Sequence, residues 1–302
     1  MGKEKTMYPG ELFLGIHAYE LGMVVGMVTA IILADRMAIK AGFSIPLQRQ
    51  LVISAVTAIL FGLLGAAFFQ SFYDFLETGE FSLNAGLTFY GGLIVGVGVF
   101  LLMWFVLTKP LKLSEEAKKQ FPSVANIAAV LIPMAHGFGR IGCLLSGCCH
   151  GRITDAWYGV PHYNVWIGDS FYKKVNVVPI QLFEAIFLFV LAGIFFCLYM
   201  RSAKRGRNRQ QTPLLPMYMI GYGIWRFVIE YFRADERGKT VVSFLTPSQL
   251  IAVVFVVGGI IYLLAWYFTR KRGKITETGV SAGISEVYKE YSNDENGRNT
   301  GV

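Results

Sequence analysis

The sequence predicts an all-α polytopic membrane protein of about seven transmembrane helices, N-terminus outside and C-terminus cytoplasmic. Three observations carry this. Of 302 residues, 54% are hydrophobic and 16% charged, and the mean hydropathy is +0.48, too apolar for an ordinary soluble domain. Several uncharged runs reach the about 20 residues needed to cross a hydrocarbon core. The net charge of +8 is gathered in alternate connections, as membrane topology requires, so no nucleic acid is expected as a partner.

The first span is expected at roughly 12 to 34, and each boundary here is good to a few residues. It carries His17 and Glu20 where the apolar region of a signal peptide would lie, so no leader is expected. Gly22 and Gly26 give it a small-xxx-small face for helix packing. Arg36, Lys40 and Arg49 mark the following connection as cytoplasmic. The second span follows at roughly 51 to 73. Asp74, Glu77 and Glu80, with no Lys or Arg among them, then suit the outer face.

The third span, roughly 84 to 108, repeats the packing pattern with Gly92 and Gly96. Lys109, Lys112, Lys118 and Lys119 return the chain to the cytoplasm before the fourth, roughly 121 to 147. The connection 150–177 is the longest external one, and Trp157, Tyr158, Tyr163, Trp166, Phe171 and Tyr172 suit a loop at the membrane interface. Pro179 opens the fifth span, roughly 178 to 200, which is followed by Arg201, Lys204, Arg205, Arg207 and Arg209. The sixth is placed at roughly 212 to 233. Thr246, Pro247 and Gln249 have capping-box spacing before the seventh, roughly 247 to 269, which runs into Arg270, Lys271, Arg272 and Lys274. Residues 1–274 are thus read as one seven-helix domain, and 275–302, polar and rich in Ser, Glu, Gly and Asn, as a disordered cytoplasmic tail.

This topology turns scattered polar residues into a site. His17, Tyr19, Glu20, Tyr90, Gln181 and Glu184 come early in inward-running spans, and Arg140, Arg226, Glu230 and Arg233 late in outward-running ones, so all sit in the outer half. Tyr222, Arg226, Glu230 and Arg233 recur at helical spacing, as do His136, Arg140 and Cys143. A charged residue at membrane depth costs about 2.5 to 3.5 kcal/mol on insertion scales and is retained where it meets an anion or lines a polar cavity. Planar guanidinium forks match phosphate, and an anion at outer-leaflet depth is most simply a phospholipid head group. Gly139 and Gly142 beside Arg140 allow close approach of a ligand or another backbone. Cys143, Cys148, Cys149 and Cys197 show no disulfide framework. The Cys143-x4-Cys148 spacing with Cys149 and His150 adjacent matches no recognised zinc pattern, so packing is the expected role, with no metal and no cofactor.

At these residues the chain resembles the prolipoprotein diacylglyceryl transferases of bacteria. The likeness rests on H-x-Y at His17 to Tyr19, YGGLIVG at Tyr90 to Gly96, GRIG at Gly139 to Gly142, P-x-Q-L-x-E at Pro179 to Glu184, and Y-G-x-x-R-F-x-x-E-x-x-R at Tyr222 to Arg233. The resemblance implies a multi-pass enzyme of the bacterial inner (cytoplasmic) membrane. Its reaction would move the diacylglyceryl group of phosphatidylglycerol to the lipobox cysteine of a prolipoprotein and release glycerol phosphate. The lipid, the lipobox peptide and membrane lipids are then the partners. Arg140 and Arg226 correspond to the family's essential arginines and would clamp the phosphate. Glu230 would orient Arg226, while His17, Tyr19, Gly139, Gly142, Gln181, Glu184, Tyr222 and Arg233 would contribute to lipid binding.

Two departures bear on the base. Tyr90 stands where the family commonly has the histidine of His-Gly-Gly, and Cys143 and Cys148 replace an asparagine and an acidic residue. A tyrosine with an ordinary pKa near about 10 is a poor base at neutral pH, which leaves His136, His17 or the field of Arg140 to help the acceptor thiol ionise. A homologue with another acceptor, and a lipid-binding protein or transporter that breaks no bond, are the rival readings; the absence of internal repeats speaks against transport.

Overall fold

The computed structural model describes residues 17–79, 88–167, 170–204, 212–233 and 245–271. Within these lie seven α-helices: α1 (Ala18–Ala41), α2 (Ile45–Thr78), α3 (Phe89–Val106), α4 (Ser114–Ser146), α5 (Ile180–Lys204), α6 (Leu214–Ile229) and α7 (Pro247–Lys271). A 3-10 turn, Glu230–Phe232, continues α6. Five helices, α1, α2, α4, α5 and α7, are long and apolar enough to cross a membrane. α3 and α6, with 18 and 16 residues, are shorter than the about 20 of a typical span, so length and composition alone mark five candidate spans among the described residues, where the sequence reading counted seven. Residues 84–87 and the tail 275–302 lie outside the described residues.

Helix ends explain where boundaries moved. α2 starts at Ile45 rather than near 51 because Ser44 caps it, its hydroxyl accepting the Leu47 amide at 3.4 Å. α4 starts at Ser114 rather than near 121, with Glu115 and Glu116 in the first turn, where carboxylates complement the helix dipole. Glu116 also fastens the two starts together by accepting from Ser44 N (2.9 Å) and Ser44 Oγ (2.7 Å). At α7 the capping box is formed, Thr246 N donating to Gln249 Oε1 and Gln249 N to Thr246 Oγ1.

α4 is the axis of the molecule, flanked by α1 and α5, while α2 and α3 pair beside it and α6 closes on α4 and α5. Small residues set the α1–α4 spacing. A Cβ on Gly22 would lie 3.0 Å from Gly142 Cα and Phe138 O, one on Gly26 2.9 Å from Ala135 O, and one on Gly142 3.0 Å from Tyr19 O. These neighbours are backbone and do not yield. Gly26→Leu is therefore expected to cost about 1 to 3 kcal/mol by overpacking, read as a lowered unfolding temperature in detergent; an unchanged transition would refute this close approach.

The core gathers Trp104, Met37, Leu47, Ile127, Val130, Leu188, Tyr199 and Leu214, all nearly or fully buried. Trp104 stacks on Phe100 and donates to Ala117 O, and Tyr199 donates to Met37 O. Leu21, Val24 and Val28 on α1, Leu60 and Leu64 on α2, Ile186 and Val190 on α5 and Val254 and Ile261 on α7 are all exposed. Apolar side chains on the outside of long apolar helices form a lipid-facing surface.

The connection after α4 is not simply an aromatic loop, and the chain is not wholly α. Val160–Ile167 (β1) and Ser170–Val177 (β2) form an antiparallel hairpin in the register Val160↔Val177 to Ile167↔Ser170. Alternating β-branched and aromatic residues around a Gly-Asp pair are a hairpin signal, which the reading of the aromatics as interface anchors obscured. Below the hairpin, residues 151–154 act as a strap. Gly151 N donates to Val178 O, Thr154 N to Asn176 O and Arg152 N to Phe232 O. A Cβ at Gly151 would lie 2.7 Å from Ile180 Cδ1, so only glycine fits there. Burial holds the His162 imidazole below its ordinary range, opposed by its hydrogen bond to Val160 O and aided by His150, whose ring lies 5.2 Å away.

Candidate functional site

Two carboxylates organise the buried polar residues. Glu184, five residues into α5, is fully buried and joins three helices. Its Oε2 lies 3.0 Å from Arg140 Nε of α4, and its Oε1 lies 3.8 Å from His136 Nε2, one turn earlier on α4. The Tyr222 hydroxyl of α6 donates to Oε1 at 3.2 Å, and the Tyr222 ring stands edge-on to His136. The i, i+4 spacing of His136 and Arg140 puts both on the face of α4 that meets α5.

Glu230 closes the other end. Its Oε2 lies 2.8 Å from Arg226 Nη2 and 3.9 Å from Arg233 Nε, while Thr246 Oγ1 donates to Oε1 at 2.9 Å. Thr246 is also the cap of α7, so one hydroxyl ties the site to the start of that helix. Arg226, Glu230 and Arg233 are all buried, and Arg226 Nη1 has no acceptor among the described residues. Arg226 and Arg233 stand close enough to act on Glu184 together with Arg140. Arg140 thus pairs with Glu184 and the arginines of α6 with Glu230, and Tyr222, one turn before Arg226, joins the two groups through its bond to Glu184. Among the described residues, three guanidiniums meet these two carboxylates.

The other residues singled out from the sequence fall into three groups. Tyr19 packs its backbone on Gly142 and shares the electrostatic surroundings of Arg140. Gln181 is fully buried and donates its Nε2 to the carbonyl of Cys148, so it fixes the turn after α4 instead of facing a cavity. Gly139 has open space where a Cβ would stand. His17 is exposed at the start of α1, where its amide donates to Glu20 at 2.8 Å and its ring lies 3.5 Å from the same carboxylate; its structural contacts are with Glu20, apart from the two buried carboxylates. Tyr90 lies in the first turn of α3, and its side chain is outside the described part.

Sequence reasoning took Glu184 as a lining residue, whereas it is the direct partner of Arg140. It also passed over Thr246 as a partner of Glu230, although the capping pattern marked that threonine. The three cysteines after Arg140 converge as well: the sulfurs of Cys143, Cys148 and Cys149 all lie within 4.8 Å of one another.

A family model described as prolipoprotein diacylglyceryl transferase matches residues 11–265. A phosphatidylglycerol–prolipoprotein diacylglyceryl transferase of Clostridium tetani is 34% identical over 260 residues, covering 83% of this chain and 93% of its own. A second transferase of that name, from Clostridium perfringens, is 31% identical over 276 residues, 89% of this chain and 97% of its own. One from Photorhabdus laumondii is 26% identical over 285 residues, with 87% and 92% covered.

Proposed function

Because the chain belongs to the prolipoprotein diacylglyceryl transferase family, a family of multi-pass membrane transferases, we propose that it transfers the diacylglyceryl group of phosphatidylglycerol to the lipobox cysteine of a prolipoprotein and releases glycerol phosphate. The observation that carries this reading is the buried cluster in which Arg140 pairs with Glu184 while Tyr222, on the same face of α6 as Arg226, donates to that carboxylate. The acceptor sulfur attacks the glyceryl carbon, and the carbon–oxygen bond breaks with its electron pair moving to the phosphate. Negative charge therefore grows on the leaving group, and donors already aimed at it stabilise the transition state without reorganising. The buried Arg226 Nη1, with no acceptor among the described residues, suits a phosphodiester oxygen. Glu184 and Glu230 keep the guanidiniums in place.

In this reading the site opens towards the extracytoplasmic leaflet of the bacterial inner membrane. The N-terminus lies outside, all seven helices belong to the membrane domain, and 275–302 form a cytoplasmic tail. The basic residues at the helix ends flanking the α1–α2 turn, and those following α3, α5 and α7, support that orientation. Gly139, open beside Arg140, leaves room for the head group, while Tyr19, Tyr222 and Arg233 border it. The test is incubation of the purified protein with phosphatidylglycerol and a lipobox peptide. A peptide mass gain of one diacylglyceryl group is the expected result; retained lipid binding without a mass gain would instead favour a lipid-binding role.

A further inference from the structure

The thiols beside the arginines have no part in the reaction as written above, yet the chain is shaped to bring them together. Cys143 is buried in the last turn of α4. Gly147 ends that helix in the left-handed region at φ 70, and Cys149, a non-glycine residue, takes φ 60 two residues later. The Cys148 amide returns to Cys143 O, and Gln181 holds the Cys148 carbonyl from α5. These constraints fold Cys148 and Cys149 back over Cys143, with all three Sγ atoms within 4.8 Å of one another and none in a disulfide.

That separation is close to the about 3.8 Å between thiolates bound tetrahedrally at 2.3 Å from one metal. Thiolate donors select soft cations such as zinc(II) or copper(I). Three thiolates and a divalent ion carry one negative charge, which the neighbouring cations Arg233 and Arg140 stabilise. Among the described residues the donor group stops at three. Four protein ligands make a structural zinc site, whereas three leave a position for substrate. Cys143 stands three residues after Arg140, one turn along the same helix, so that position lies beside the arginine assigned to the phosphate.

We propose that Cys143, Cys148 and Cys149 bind one zinc-like divalent cation whose open fourth position receives the acceptor thiol as its thiolate. The inference rests on the reaction proposed above and supplies its missing step. A free thiol ionises near about 8.5, but a thiol that coordinates a divalent metal gives up its proton outright. The proton passes to water as the metal–sulfur bond forms. The sulfur then uses a lone pair to form the carbon–sulfur bond, the glyceryl carbon–oxygen bond breaks, and glycerol phosphate leaves with the added negative charge that the released proton balances. No electron is gained or lost by the metal.

The experiment uses the full chain in detergent, reduced, stripped with a chelator and loaded with cobalt(II) without oxygen. One cobalt per chain, with a sulfur-to-cobalt charge-transfer band that zinc abolishes, is expected. The band should shift when a lipobox peptide is added and stay unchanged with the same peptide bearing serine for cysteine. Cys148→Ser and Cys149→Ser should each weaken cobalt binding by at least about tenfold, at an unfolding temperature near that of the parent, while Cys197→Ser, on the exposed surface of α5, should not. Peptide lipidation should cease on stripping and return with zinc. Full lipidation by the stripped protein, or a cobalt band indifferent to the thiol peptide, would overturn the metal assignment and leave the proposed reaction standing. Failure to lipidate in every metal state would overturn the reaction itself.

Discussion

Arg140→Gln is expected to lower the rate of peptide lipidation by about 100- to 1000-fold, the usual loss when one preorganised donor to a developing oxyanion is removed. Arg140 commits Nε to Glu184 at 3.0 Å, which fixes the plane of the guanidinium and leaves its terminal nitrogens for the phosphodiester. Glutamine keeps a polar group near Glu184 but contributes neither the charge nor the fork. Because the interaction strengthens as charge develops, the loss should fall mainly on kcat, with KM for phosphatidylglycerol changed much less. Arg140→Lys should recover part of the rate by restoring a point charge without two-pronged geometry. The measurement is single-turnover mass spectrometry of the peptide, with the unfolding temperature recorded for each variant. Equal rates for Arg140→Gln and the parent would remove Arg140 from the phosphate clamp.

Glu184→Ala should destabilise the protein by about 3 to 5 kcal/mol, the cost of leaving a buried charge without its counter-ion. Glu184 is fully buried and is met by Arg140 from α4 and Tyr222 from α6, so its loss unlocks two helix contacts at once. Tyr222→Phe removes one hydrogen bond to the carboxylate and should cost about 1.5 to 3 kcal/mol. Since both changes break the same bond, the double variant should be little worse than Glu184→Ala alone. Unfolding in detergent measures each cost; a fully additive double variant would mean that the hydroxyl and the carboxylate act separately.

How far the site could be read in advance depended on how local each contact is. Arg226 and Glu230 are four residues apart on one helix, so their pairing follows from spacing. Arg140 and Glu184 are brought together by the packing of α4 on α5, and no periodicity in either segment reports that. The meeting of the three thiols escaped the sequence reading for a related reason. Their convergence requires a reversal at Gly147 and a positive φ at Cys149, and nothing about a cysteine announces a left-handed backbone. Five full-length helices were legible from apolar length alone, whereas α3 and α6 are shorter than the runs drawn for them. The hairpin was written in the alternation of residues 160–177, and its aromatic residues drew the eye to a different explanation.

The strap at 151–154 carries one more consequence. It holds the end of α4 to the entry of α5 and the exit of α6 entirely through main-chain bonds, so the rim near Arg140 and Arg233 owes its dimensions to peptide groups and not to the identity of the protruding β-ribbon. Exposed side chains of that ribbon, Tyr163 and Phe171 among them, can therefore be exchanged without loosening this main-chain join.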